Sequence, residues 1–267
     1  MNDNLIHTKQ SFNKIAGSYD TRDNQNAILQ WMRGIVHKIY LKYLPGGAKV
    51  LELNAGTGVD AVFLADNGMT VYATDISGEM IALLQEKIKS KKAENRITAQ
   101  SLSFDEIDTI TETDFDAVVS NFGGLNCIND FSKLSNDLTA KLKSNGVFIA
   151  VVMNKICPWE MFYYLLRLDT ENAFRRFNKN GIMAELNGEK VLTYYFTPAE
   201  FGKYFSRNFS VEKIYTLGLK TPPPYLIGIY NKLKPLVKLW MKTDELLKGW
   251  FPFNRWGDHF VIVMRRR

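Results

Sequence analysis

The stretch Val50 to Ala65, VLELNAGTGVDAVFLA, decides the fold. Val50–Leu53 is a short apolar run of the kind that forms a buried strand. A glycine-rich turn follows, and Val59–Asn67 opens a helix closed by Gly68. Gly56 and Gly58 let the backbone approach a ligand closely, and the helix N-terminus offers free N–H groups to it. Residues 56–61, GTGVDA, match the dinucleotide pattern G-x-G-x-x-G/A, a weak signal when it stands alone.

Working outward, strands and helices alternate. Thr70–Thr74 reads as a strand and Gly78–Ala93 as a helix with Met80, Leu83, Leu84 and Ile88 inward. Ile97–Leu102, Phe115–Ser120 and Val147–Val152 are further strands. Asp130–Leu142 is the helix between the last two, stopped by an Asn145-Gly146 turn. This rhythm predicts an α/β fold, a doubly wound and mostly parallel sheet with helices on both faces. Before it, residues 1–45 read as a helical cap, with Asp23 or Asn24 as the second helix's N-cap. Residues 46–153 form the core.

After Met153 the rhythm breaks. Residues 154–208 read as an insert: an aromatic helical stretch from Pro158 to Phe177, a hairpin around Asn187-Gly188, and a helix start at Thr197-Pro198-Ala199-Glu200 with a capping box. Residues 209–267 supply two last strands, Phe209–Leu217 and His259–Met264. Between them lies a helical insert at 220–257, interrupted by Pro235.

Composition narrows the function. The 267 residues are 46% hydrophobic, enough for one large core. No apolar run is long enough to span a bilayer, and MNDNLIHTKQ lacks the apolar centre of a signal peptide. Two cysteines without metal-like spacing and three histidines argue against a disulfide framework or zinc site. A reducing, cytoplasmic setting is therefore expected. Residues 1–150 hold 15 Lys+Arg and 18 Asp+Glu, a balance of −3, whereas residues 151–267 hold 19 and 10, a balance of +9. Such a basic half suits an anionic substrate, a membrane surface or nucleic acid, or serves only solubility.

Asp75 ends VYATD, at the tip of the second strand. An acidic residue there can accept both hydroxyls of a ribose; capping the next helix is the competing role, one that Ser77 can also fill.

LELNAGTG resembles the L-[ED]-L-G-C-G-T-G motif of class I, seven-stranded S-adenosylmethionine-dependent methyltransferases. FNKIAGSYD, VYATDISGEM, FDAVVSNFGGLNCI and LKSNGVFIAVVM are similar to further segments of that family in the same order. HFVIVMRR is similar to its antiparallel last strand. Asn54 departs from the motif's first glycine and Ala55 from its small cysteine; Asn tolerates positive φ better than other non-glycine residues.

The resemblance implies S-adenosyl-L-methionine as cofactor and assigns residues to it. Glu52 fixes the turn and reaches the ligand's amino group, while Asn54, Ala55, Gly56 and Gly58 form the turn beneath methionine and ribose. Asp75 holds the ribose, Ile76 and Met80 flank the adenine, and Ser103 or Phe104 (with Asp105 equally placed) adds an adenine contact. Asn121 and Phe122 line the transfer pocket. Tyr19 touches the carboxylate; Arg33 can pair with it, although a surface position is the ordinary expectation for such an arginine. His259 and His37 are the candidate bases, His259 also reading as a structural histidine beside Asp258. Arg175 and Arg176 read as an anion site on the substrate or as solvated residues. No metal is implied.

The expected partner is a small, hydrophobic or aromatic acceptor. The pairing of SNFGGLNC with CPWE resembles bacterial enzymes of secondary-metabolite pathways. No nucleic-acid partner is expected, because no RNA-binding module is recognisable and SNFGG differs from the N-P-P-Y signature of base and glutamine methylation. Tyr225–Leu247 reads as a lid, as a packed helix, or as a helix on a membrane surface. An RNA or protein methyltransferase, a non-catalytic binding protein and an NAD-dependent dehydrogenase are the alternatives.

Overall fold

The computed structural model describes residues 3–186 and 188–267. Its strands are β1 (Lys49–Leu53), β2 (Thr70–Asp75), β3 (Ile97–Ser101), β4 (Phe115–Ser120), β5 (Leu142–Met153), β6 (Ile182–Leu186), β7 (Glu189–Thr193), β8 (Phe209–Leu217) and β9 (His259–Arg266). Seven of them form one sheet in the order β3-β2-β1-β4-β5-β9-β8. β1 to β5 pair in parallel, and β9 runs antiparallel to both neighbours. The expected seven-stranded, mostly parallel sheet is therefore what the chain forms. Strand order reverses between β1 and β4, so their carboxyl ends flank the crevice where open α/β sheets bind ligands.

The helices are α1 (Asp3–Gln25), α2 (Ala27–Tyr43), α3 (Val59–Asp66), α4 (Gly78–Lys91), α5 (Ser132–Lys141), α6 (Pro158–Leu165), α7 (Thr170–Phe174), α8 (Pro198–Phe205), α9 (Ile227–Lys232) and α10 (Lys234–Leu247). Alternation along the strands splits the core into two layers. Val50, Val119 and Val151 face one cluster with Ile35, Leu64, Leu84 and Val237. Leu51, Val118 and Phe148 face the other with Phe131, Leu138, Phe201 and Phe205.

Several local expectations shift. The N-cap of α2 is Asn26, whose side chain accepts from the Ile28 and Leu29 N–H groups, not Asp23 or Asn24. Asn145-Gly146 does not end a helix before a separate strand. β5 begins at Leu142, Asn145 takes φ +63°, and the pairing with β4 shifts register there. The 158–177 stretch is two helices and a 3-10 turn, divided near Leu168 at φ +58°. Pro235 opens α10 rather than breaking a helix, since an N-terminal Pro loses no helical hydrogen bond. The β6–β7 hairpin forms, with Asn187 of its turn outside the described residues. The Thr197–Glu200 capping box forms as expected.

Candidate active site

The carboxyl ends of β1, β2 and β4 open into a cavity of about 810 Å³, part of it open to solvent. Tyr19, Arg33, Asn54, Ala55, Gly56, Asp75, Ile76, Met80, Phe104, Asn121 and Phe122 line it. Six separate segments of sequence thus converge on one space.

Gly56 has φ +56°, and a Cβ there would meet open space. Its N–H donates to Asp75 Oδ2 at 2.8 Å, while Asp75 Oδ1 accepts from the Ser77 N–H at 2.8 Å. Ser77, not Asp75, caps α4, through its hydroxyl and the Met80 N–H. Each Asp75 oxygen keeps acceptor capacity for a second donor. Burial pushes the Asp75 carboxyl up to about 6, against the pull of its two backbone N–H groups.

Asn54 takes φ +48°, the left-handed conformation a glycine would adopt freely. Its amide donates to Asn121 O at 2.8 Å and accepts from Ser120 Oγ at 2.6 Å, tying the tip of β1 to the tip of β4. It lies against Gly124, where a Cβ would sit 2.2 Å from the Asn54 side chain. The departure at Asn54 is matched by a glycine seventy residues away in sequence.

Arg33 is buried, not superficial. It donates to Asp60 Oδ2 at 2.8 Å and to Asp23 Oδ2 at 3.1 Å, and its guanidinium lies 5.1 Å from the Phe122 ring centre. Arg33 is thus the counter-ion of two carboxylates rather than a free cation. Asp60 also accepts from Asn121 Nδ2 at 2.6 Å and meets His37 Nε2 at 2.6 Å. Burial alone would raise its carboxyl; Arg33, His37 and Asn121 outweigh that and hold it near 2. Burial lifts Asp23 to about 6 and, with Asp23 beside it, keeps the Tyr19 phenol protonated above its usual range.

Four expected residues do not form the wall. Gly58 takes φ +81° at the start of α3, and a Cβ there would sit 2.1 Å from Leu84; the glycine admits α4. Ser103 caps a 3-10 turn in a box with Glu106, leaving Phe104 as the wall residue of that loop. Glu52 lies beneath the turn, its Oε2 buried without a hydrogen-bond partner. Burial, then Asp60, raises its carboxyl well above the ordinary range. His259 is buried, with Nδ1 2.9 Å from Asp258 Oδ2 and its ring edge-on to Phe122 at 5.6 Å.

Leu5, Thr8, Phe12, Thr57, Val59, Asp60, Leu102, Gly124 and Cys127 complete the wall. The first three come from α1, which closes the cavity through polar ties: Asn13 to the Ser77 hydroxyl, Asp20 to Thr57 and Lys87, Asn4 to Cys127 O. FNKIAGSYD marked this helix, but no periodicity shows which face meets the cavity. Asp60 had one signal, an acidic residue in the first turn of α3.

Arg175 and Arg176 bind no open space. Both donate to Glu160, and Arg176 also reaches Asp258 Oδ1 at 2.6 Å. Cys157, Glu160 and Asp258 come close enough to suggest a metal site, but the Arg176 guanidinium already supplies their positive charge.

This strand order, with a positive-φ glycine and an acidic tip on β2, is the arrangement expected from the resemblance to class I methyltransferases. The comparisons agree. Residues 50–146 match the family model described as a methyltransferase domain. The ubiquinone/menaquinone biosynthesis C-methyltransferase of Citrifermentans bemidjiense is 29% identical over 144 residues, 52% of this chain and 59% of that protein. A putative methyltransferase of Bacillus subtilis is 31% identical over 150 residues, 55% of this chain and 57% of its own. This chain therefore spans less than two thirds of the length of either relative. A putative S-adenosylmethionine-dependent methyltransferase from Listeria monocytogenes shares the fold, with TM-score 0.58 and 22% identity over 88% of this chain and 98% of its own. Residues 50–146 are thus similar to a methyltransferase domain, and the sheet as a whole has the fold seen in the Listeria structure.

The residues present fit that cofactor. Gly56 leaves room for it and Asp75 offers paired acceptors. If the ionised Asp75 is the form that binds, ligand binding displaces its proton below pH 6. Affinity for S-adenosylhomocysteine is then level above about pH 7 and falls roughly tenfold per unit below pH 6. Calorimetry across pH 5–8 measures this, and Asp75→Asn is expected to flatten the profile.

Proposed function

We propose that this chain binds S-adenosylmethionine in the β1–β2–β4 cavity and methylates a small, hydrophobic or aromatic acceptor. The observation that carries this reading is Asp75, whose two oxygens are pre-set by backbone donors over the open cradle at Gly56. Bound there, the cofactor supplies an electrophilic methyl group on its sulfonium. The chain's own residues do the rest. Asp75 holds the ribose, and Ile76 and Met80 face the adenine. The α1 residues Leu5 and Phe12, with Phe104 and Phe122, exclude water and favour an apolar acceptor. The first relative's name, a C-methyltransferase of quinone biosynthesis, supports the same acceptor class.

His259, which stands behind the wall residue Phe122 and is reached only past that ring, is the proposed proton acceptor. The Asp258 carboxylate, held well below its usual range despite burial by His259 and Arg176, is ionised. It therefore accepts a hydrogen bond from Nδ1–H, which keeps that proton on the ring and leaves the Nε2 lone pair free. His259→Gln is expected to lower turnover by about 10²–10⁴-fold while the affinity for S-adenosylhomocysteine stays within twofold. A variant with unchanged turnover assigns His259 to structure alone. The reading as a whole is tested by calorimetry with S-adenosylhomocysteine, NADH serving as control. Micromolar binding of the former alone is expected; absence of binding overturns it.

A further inference from the structure

α10 is apolar on two sides. Val237 and Met241 pack into the core beside α2, and Asp244 on the same side accepts from the Lys220 and Thr221 N–H groups. That inward face would satisfy an ordinary surface helix. The outward face carries Leu236, Leu239 (57% exposed) and Leu246 (74%), and the chain beyond it presents Trp250 (67%) and Phe251 (71%). Leu233 extends the same exposed apolar strip at the head of the helix.

Charge identifies the occupant. Residues 220–257 contain six lysines and one arginine against two acids. Both acids are engaged: Asp244 in the backbone contacts above, and Glu245 with the Trp31 indole and Lys38. Lys232, Lys234, Lys238 and Lys242 are exposed along the strip and make no ion pair among the described residues. Apolar residues flanked by lysines, ending in an exposed aromatic pair, match a helix lying in a lipid interface. No helix among the described residues is long and apolar enough to cross a membrane, which leaves contact with the surface.

We infer that α9, α10 and the Trp250-Phe251 tip form a docking surface for an anionic lipid bilayer. The lysines meet the headgroups, and Leu236, Leu239, Leu246 and Trp250 enter the acyl boundary. α2 connects the surface with the cavity: Asn26 at its start donates to Pro224 O, just ahead of α9, at 2.9 Å, and Arg33 two turns further along lines the cavity.

The test is co-sedimentation of the full chain with vesicles of phosphatidylcholine alone and of phosphatidylcholine with phosphatidylglycerol. Binding to the anionic vesicles only, weakened by salt, is expected. Lys238→Glu with Lys242→Glu is expected to lower the partition coefficient by at least about 25-fold, each lysine near such a surface being worth roughly fivefold. Leu239→Ser with Trp250→Ser should lower it by at least about tenfold. All four positions are solvent-facing, and thermal melting confirms that the variants fold. The control Val211→Ser, exposed on β8, should bind as the parent does. A parent chain that stays in the supernatant with both vesicle types overturns the inference. So does binding that both pairs of substitutions leave unchanged. A concentration-dependent dimer that the Leu239/Trp250 pair dissociates, without vesicle binding, would identify a second copy as the occupant instead.

Discussion

Asp75→Ala is expected to raise the dissociation constant of S-adenosylhomocysteine by about 10²–10⁴-fold. The proposed complex adds two ribose hydroxyls to a carboxylate already fixed by the Gly56 and Ser77 N–H groups. Hydrogen bonds to a charged group are worth about 1.5–3 kcal/mol each, so losing two costs about 3–6 kcal/mol. The substitution also leaves the Gly56 N–H without its acceptor, which loosens the turn beneath the ligand. Folding should not suffer: Asp75 is buried with its pKa raised to about 6, so its ionised form costs stability above that pH. A raised carboxyl contributes most below its unfolded pKa, and that contribution is lost as pH rises through 6. The variant should therefore change little in Tm at pH 7.5, relief of the buried charge being offset by the Gly56 and Ser77 N–H groups left without their acceptor, while binding far more weakly. Affinity within threefold of the parent would remove Asp75 from the ribose.

Arg176→Met is the second large effect, and it falls on stability. Arg176 is buried, donating to Glu160, to Asp258 and to the carbonyls of Asn154 and Asp258. Met fills much of the same volume but leaves two buried carboxylates with fewer counter-charges. Breaking one side of such a pair costs about 3–5 kcal/mol, roughly a 10 °C fall in Tm for a chain of this size. The pH dependence gives a sharper check. Burial raises Asp258 and Glu160, but Arg176, with His259 beside Asp258 and Arg175 beside Glu160, brings both below their usual range. Depressed carboxyls stabilise above their unfolded pKa and lose that contribution as pH falls. The parent should thus lose more stability than the variant between pH 7 and pH 4, and the gap in Tm should narrow. An equal gap at both pH values would mean that packing, not charge, explains Arg176.

This cluster also shows where reading the chain stops. AFRRF marked two arginines for a substrate anion, yet their partner is Glu160, fifteen and sixteen residues earlier and one helix away. Arg33 has the same history: its spacing on α2 suited a surface residue, and only the packing of α1 and α3 brings Asp23 and Asp60 to it.

The sheet, the crevice and the glycine turn at its edge were legible in the chain, because these rest on short-range rules. Apolar runs form buried strands, glycines permit positive φ at Gly56, and an acidic residue ending β2 must stand at the sheet's carboxyl edge. Tertiary structure alone decided which residues share the cavity and which support it. Gly58 and Gly56 look equivalent in GTG, but one meets Leu84 and the other open space. Asn54 looks like a defect until Ser120 at the end of β4 and Asn121 just after it bond its amide, with Gly124 in the following loop making room for it. Long-range partners of this kind depend on crossover and packing geometry, which local periodicity does not encode.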